Sequence, residues 1–134
     1  MLLNLLSKEE KIKFLDLVIK VITTDGDVSE TEKLIISKFK NEMGEDVLKF
    51  HASNNQLEKL VEYFSTKPST TKNLVYYNLI SASLSDEFYS VEEHFTIASI
   101  QEKLGISNKK RTELIKAVYA ERDMREKVKR VITD

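Results

Sequence analysis

The sequence contains no cysteine, and its 134 residues include only one proline and three glycines. Without cysteine there are no disulfides, no thiolate metal sites and no thiol catalysis. The scarcity of proline and glycine disfavours a fold of many short strands and favours helices joined by short turns. A chain of this length is expected to form one domain with a core that is stable without disulfides or a structural metal.

Long apolar runs and a strong net charge are also missing. No segment approaches the roughly 18 apolar residues that a membrane-spanning helix needs. The N-terminal residues MLLNLLSKEEK have no basic leader and no small-residue cleavage site, so we expect no signal peptide. The net charge of −1 predicts no nucleic-acid partner. We therefore expect a cytoplasmic protein without a membrane span.

The charges are distributed unevenly along the chain. Residues 109–130 contain nine lysines and arginines against four acidic residues, whereas residues 1–108 contain twelve against seventeen. We interpret the basic segment as the solvated face of a helix. Contact with an acidic partner, or peripheral contact with anionic lipid heads, is the alternative. A homodimer interface is a further alternative, formed by the apolar residues Met124, Val128 and Val131.

Apolar residues recur at spacings of three and four over six segments, a pattern typical of amphipathic helices. The predicted helices cover residues 8–24, 30–43, 56–65, 70–85, 91–104 and about 107–132, and a helical turn over 45–51 would be a seventh. Ser7 with Glu10 predicts a capping box for the first helix, and Asn54 or Asn55 is expected to cap the third. The predicted core faces of the first, second and fifth helices comprise Ile12, Leu15, Val18, Ile19 and Ile22; Leu34, Ile35, Phe39 and Met43; and Phe95, Ile97, Ile100 and Leu104.

An internal repeat is the strongest organisational signal, because a shift of 61 positions matches the two halves without a gap. The matched pairs are Asp25 with Asp86, Ser29 with Ser90, Glu32 with Glu93, Leu34 with Phe95 and Gly44 with Gly105. These positions supply the turn, the helix cap, the core face and the helix stop. We therefore predict an all-α, single-domain bundle of six to seven helices in two pseudo-symmetric three-helix halves. The halves are residues 8–66 and 69–121, and the last helix extends to about residue 132.

One short motif carries a family resemblance. Residues 25–32, DGDVSETE, follow one apolar helix and begin another that stops near Gly44. This D-G-x-V-S-x-x-E pattern, repeated in part by Asp86, Ser90 and Glu93, resembles the tellurite-resistance TerB-like family over roughly residues 8–120. The resemblance implies an all-helical fold of two halves. It also implies a non-catalytic module used in stress-response, phage and membrane-associated settings.

The resemblance further implies that an acidic cluster binds a divalent cation where the two inter-helix turns meet. Mg²⁺ or Ca²⁺ is favoured, because carboxylate oxygens suit hard cations. In the second half Glu87 replaces the glycine of the pattern and Tyr89 replaces a small aliphatic residue, so the second turn is expected to differ in shape. The implied metal ligands are Asp25, Glu32, Asp86 and Glu93, with Asp27 as an additional candidate.

The same residues have structural roles that need no metal. Ser29 with Glu32, and Ser90 with Glu93, fit capping boxes, and the helix dipole favours acidic residues near a helix N-terminus. An EF-hand is excluded, because Glu30 stands where its loop requires glycine. The alternative function is therefore a metal-independent protein-interaction adaptor whose acidic motifs only cap helices.

Signatures of catalysis are absent from the sequence. Neither His51 nor His94 belongs to an H-E-x-x-H motif or lies near a nucleophile elbow. The three glycines are too far apart to form a phosphate loop. We therefore expect a protein that is not an enzyme and that acts through a protein partner. Phe88 and Tyr89 are candidate partner contacts, because aromatic residues are frequent hot spots.

Overall fold

The computed structural model describes residues 2–23, 30–47, 56–85 and 91–134. Within these ranges the chain forms six α-helices and two short 3-10 turns, and it contains no β-strand. The prediction of an all-α bundle is confirmed. The helices are α1 (Lys8–Ile22), α2 (Glu30–Met43), α3 (Leu57–Ser65), α4 (Ser69–Ser85), α5 (Val91–Leu104) and α6 (Asn108–Thr133), and the 3-10 turns are Leu3–Leu5 and Gly44–Val47.

Local sequence signals fix several helix ends. At the start of α1, the Ser7 backbone N–H donates to Glu10 Oε1 at 2.8 Å, and the Glu10 N–H donates to Ser7 Oγ at 3.2 Å. The predicted capping box is therefore confirmed. Gly44 and Gly105 follow α2 and α5 with φ of 83° and 71°, the left-handed conformation that glycine adopts at low cost.

The other predicted caps and turns have different outcomes. Gln56, with extended backbone and no side-chain cap bond, occupies the N-cap of α3, so the predicted asparagine cap is wrong. The helix begins later than the asparagine pair would place it. The predicted turn over 45–51 is described only as far as Val47. Ser29 and Ser90 lie outside the described residues, so their capping boxes stay predictions.

Helix α1 lies at the centre of the bundle and contacts α2, α3, α4 and α5. It is buried on more than the one face that the apolar spacing predicted, because neighbours surround it. Phe14, Leu17 and Val21 are fully buried although the sequence placed none of them on the core face. Even Lys11 is buried, and its Nζ donates to the Met43 carbonyl oxygen at 3.1 Å. A cation at this position stabilises the C-terminus of α2.

The 61-residue offset reappears in the helices themselves. Helix α4 begins 61 residues after α1, and both ends of α5 lie 61 residues after those of α2. Burial follows the same offset. Six pairs of residues in α1 and α4 are buried in both members: Phe14 with Val75, Leu15 with Tyr76, Leu17 with Asn78, Val18 with Leu79, Val21 with Ala82 and Ile22 with Ser83.

The predicted core faces of α2 and α5 are wrong at one pair of positions. Leu34 and Phe95 are 71% and 67% exposed, although both were expected in the core. Glu32 and Glu93 are buried instead, with exposures of 3% and 1%. Residues two apart on a helix point about 200° apart, so a helix that turns Glu32 inward must turn Leu34 outward.

Candidate functional site

The structure describes only part of the predicted acidic cluster. Glu32 and Glu93 are described, and each is the third residue of its helix, α2 or α5. The remaining predicted metal ligands and both predicted partner contacts lie outside the described residues: Asp25, Asp27, Asp86, Phe88 and Tyr89. Their proposed roles stay predictions.

Glu32 and Glu93 occupy equivalent positions in α2 and α5. The buried face of α2 continues from Glu32 to Phe39 and Met43, and that of α5 continues from Glu93 to Ile100 and Leu104. Both carboxyl groups therefore point to the core side of their helices. The sequence pattern correctly placed Glu32 and Glu93 in the first turns of their helices, but it did not predict that they are buried.

Burial makes these two glutamates chemically distinct from their neighbours. A buried carboxylate is costly unless hydrogen bonds, a cation or a helix dipole compensates for the lost water. Both residues have an interaction partner in the protein. The unpaired N–H groups of the first helical turn add positive potential beside each.

The acidic residues next to them behave differently. Glu30 is fully on the surface and pairs with Lys33, with 3.2 Å between Glu30 Oε1 and Lys33 Nζ. Glu92 is also exposed. The first turns of α2 and α5 therefore each combine one exposed acid with one withdrawn from solvent.

No metal site is complete within the described residues. In residues 2–23, 30–47, 56–85 and 91–134, no three His, Asp or Glu side chains lie close enough together to hold an ion. A cation bound by Glu32 or Glu93 would need ligands in addition to these. The predicted aspartates lie in residues 24–29 and 86–90, outside the described ranges.

The basic end of the chain forms the outer part of α6. Every residue from Arg122 to Asp134 is exposed, including Met124, Val128 and Val131. Glu121 and Arg125, one helical turn apart, form an ion pair, with 2.9 Å between Glu121 Oε1 and Arg125 Nη2. This half of α6 therefore presents an apolar row between charged groups. Across the part of the chain that the structure describes, no helix is long and apolar enough to cross a membrane.

Comparison with known proteins identifies a shared fold. No protein-family model matches the sequence, and no curated protein matches it. Among solved structures, the chain is similar to the crystal structure of a tellurite resistance protein from Nostoc punctiforme PCC 73102. The match has a TM-score of 0.69 at 21% identity and covers 95% of this chain and 82% of that chain. The bundle therefore shares its fold with that protein, in agreement with the fold that the TerB-like resemblance implies.

Proposed function

We propose that this chain is a non-catalytic TerB-like module that binds a divalent cation through its two acidic inter-helix segments. In this proposal, the module acts in a stress-response or phage-related system by binding a protein partner. The fold shared with a tellurite resistance protein supports the family assignment. The acidic repeat supports the choice of ligand.

The observation that carries the cation proposal is the matched burial of Glu32 and Glu93. Two helices place a carboxylate at the same position and on the same inward face, next to segments that hold Asp25 and Asp86. Carboxylates that converge repel one another, and a cation relieves that repulsion. Oxygen ligands favour Mg²⁺ or Ca²⁺ over soft metals.

The direct test is calorimetric titration of chelator-treated protein with Ca²⁺, Mg²⁺, Mn²⁺ and Zn²⁺. We expect saturable binding of Ca²⁺ or Mg²⁺ that is lost in Asp25→Asn/Asp86→Asn. Glu32→Gln/Glu93→Gln should weaken it as well, because the amide keeps the shape and removes the charge.

A matched control distinguishes specific coordination of the cation from nonspecific attraction by negative charge. Glu30→Gln/Glu92→Gln removes the same charge from the same helical turns, but from exposed side chains. We expect this control to retain binding. Equal losses in the two glutamate pairs would instead indicate a diffuse electrostatic effect.

The exposed row on α6 supports a second candidate, a metal-independent adaptor that assembles with a second copy of the chain. Met124, Val128 and Val131 are exposed at spacings of four and three. The basic segment that contains them would meet the acidic body of the other copy. Sedimentation equilibrium in the presence of chelator tests this. Val128→Glu should abolish association, and Thr133→Glu, which adds the same charge on the opposite face of α6, should not.

A further inference from the structure

A pocket of about 220 Å³ lies between α4, α5 and α6, and its lining includes His94 from the first turn of α5. Its inner wall includes Tyr76 and Ser83, which are 0% and 2% exposed. Its mouth includes the exposed residues Leu84, His94 and Tyr119. The pocket therefore connects a buried polar surface with solvent.

Three buried polar atoms of the pocket residues have no hydrogen-bond partner of good geometry in the described part of the chain: Tyr76 Oη, Ser83 Oγ and Arg111 Nε. The Arg111 guanidinium lies close enough to the Tyr76 hydroxyl to interact with it, so these two groups are neighbours in the pocket. Leaving a single buried donor or acceptor unsatisfied is costly, and native proteins rarely do so. Three in one pocket that connects with solvent indicate that water or another bound molecule completes their hydrogen bonds.

The remaining lining defines the chemistry of that molecule. Arg111 contributes the only permanent charge among the lining residues, and none of them is acidic. Ile80, Ile97 and Ile115 supply apolar surface. An arginine guanidinium with hydroxyl donors recognises a carboxylate, and branched aliphatic side chains accommodate a hydrocarbon body.

From this arrangement, we propose that the pocket between α4, α5 and α6 binds a small apolar monocarboxylate, with its carboxylate at Arg111, Tyr76 and Ser83. The volume fits this class. A cavity of about 150 Å³ admits benzene, whereas pockets for drug-sized ligands begin near about 300 Å³. An aromatic acid of the size of benzoate matches the intermediate volume.

The protonation state of Tyr76 agrees with a donor role. Burial raises the pKa of Tyr76, while the neighbouring Arg111 guanidinium opposes that change. The hydroxyl therefore stays protonated at neutral pH and can donate to a carboxylate oxygen.

The test is an NMR titration of the full chain with benzoate, with benzyl alcohol and inorganic phosphate as comparison ligands, in the presence of a chelator. We expect benzoate to saturate shifts of residues in α4, α5 and α6. Benzyl alcohol, which lacks the charge, and phosphate, which lacks the apolar body, should bind at least about tenfold more weakly. Equal binding of all three, or no saturable benzoate binding at concentrations on the order of 10 mM, would overturn the proposal.

A pair of matched variants tests whether benzoate binding depends on Arg111. Arg111→Gln should weaken benzoate binding at least about tenfold, whereas Arg130→Gln, at an exposed position of the same helix, should leave it unchanged. Equal effects of these two variants would contradict a specific contact.

Tyr76→Phe distinguishes a binding role from a structural one. The variant keeps the buried ring and removes only the hydroxyl, so the melting temperature should change little. It should still weaken benzoate binding. Unchanged binding in Tyr76→Phe, with an intact melting temperature, would show that ordered water and not a carboxylate satisfies these groups.

Discussion

The hydroxyl of Tyr77 donates a hydrogen bond to Glu121 Oε2 at 3.0 Å and thereby links α4 to α6. Glu121 also accepts a bond from Arg125 at 2.9 Å, so one carboxylate joins two partners. Burial, assisted by the Glu121 carboxylate, raises the pKa of Tyr77 to about 12. The inner half of α6 is therefore held by a polar contact whose strength depends on pH.

Tyr77→Phe should destabilise the fold, because it removes the hydrogen bond between α4 and α6. A hydrogen bond to a charged group contributes about 1.5–3 kcal/mol, and partial exposure places this one at the lower end. Urea denaturation near neutral pH measures the loss. Tyr119→Phe, at an exposed position of α6, should have little effect, and equal losses in both variants would contradict the assignment.

The stability difference between wild type and Tyr77→Phe should depend on pH at the alkaline end. The pKa of Tyr77 is raised on folding from its usual value of 10.0 to about 12. The contribution is therefore complete below pH 10 and is lost as pH rises through 12. Denaturation curves of both proteins across this interval should converge at high pH. A constant difference would show that the hydroxyl contributes only through packing.

Ser7→Ala should lower the free energy of unfolding by about 1 kcal/mol, because it removes the side-chain cap of α1. Ser7→Thr should retain most of the stability.

The backbone hydrogen bond from Ser7, with Lys67 nearby, lowers the pKa of Glu10 from its usual 4.5. The contribution of that carboxylate is therefore present above pH 4.5 and is lost as pH falls below it. Denaturation of Glu10→Gln and wild type at neutral and acidic pH tests this, and a pH-independent difference would contradict it.

Phe95→Ala and Ile100→Ala should differ sharply in stability although both remove a large apolar side chain from α5. Ile100 is fully buried, so its truncation should cost about 2–5 kcal/mol. Phe95 is mostly exposed, so its truncation should change stability by less than about 0.5 kcal/mol. Thermal or chemical denaturation of the two variants decides this. A large loss for Phe95→Ala would show that its side chain belongs to the core.

The sequence predicted those parts of the fold that depend on local signals. Ser7 with Glu10 identified the start of α1, and Gly44 and Gly105 identified the ends of α2 and α5, because caps and left-handed glycines act within a few residues. The rotation of α2 was not predictable in this way. Leu34 and Phe39 are both apolar, and only the neighbouring helices decide which of them is buried.

The geometry of the candidate sites also depends on tertiary packing, which the sequence does not show directly. The acidic repeat was visible because the same motif occurs twice, but the burial of Glu32 and Glu93 depends on how each helix is turned toward its neighbours. No sequence motif indicated the pocket between α4, α5 and α6. Tyr76, Ser83 and Arg111 come from two helices, and no motif joins positions so distant in the chain.

The most direct test of the cation proposal is the stoichiometry of Ca²⁺ or Mg²⁺ binding, measured by calorimetry on wild type and on the single variants Asp25→Asn and Asp86→Asn. If the two halves share one site, wild type binds one ion per chain and either single variant loses most of the affinity. If wild type binds no ion, or if each variant retains wild-type affinity, the acidic repeat serves only to cap α2 and α5.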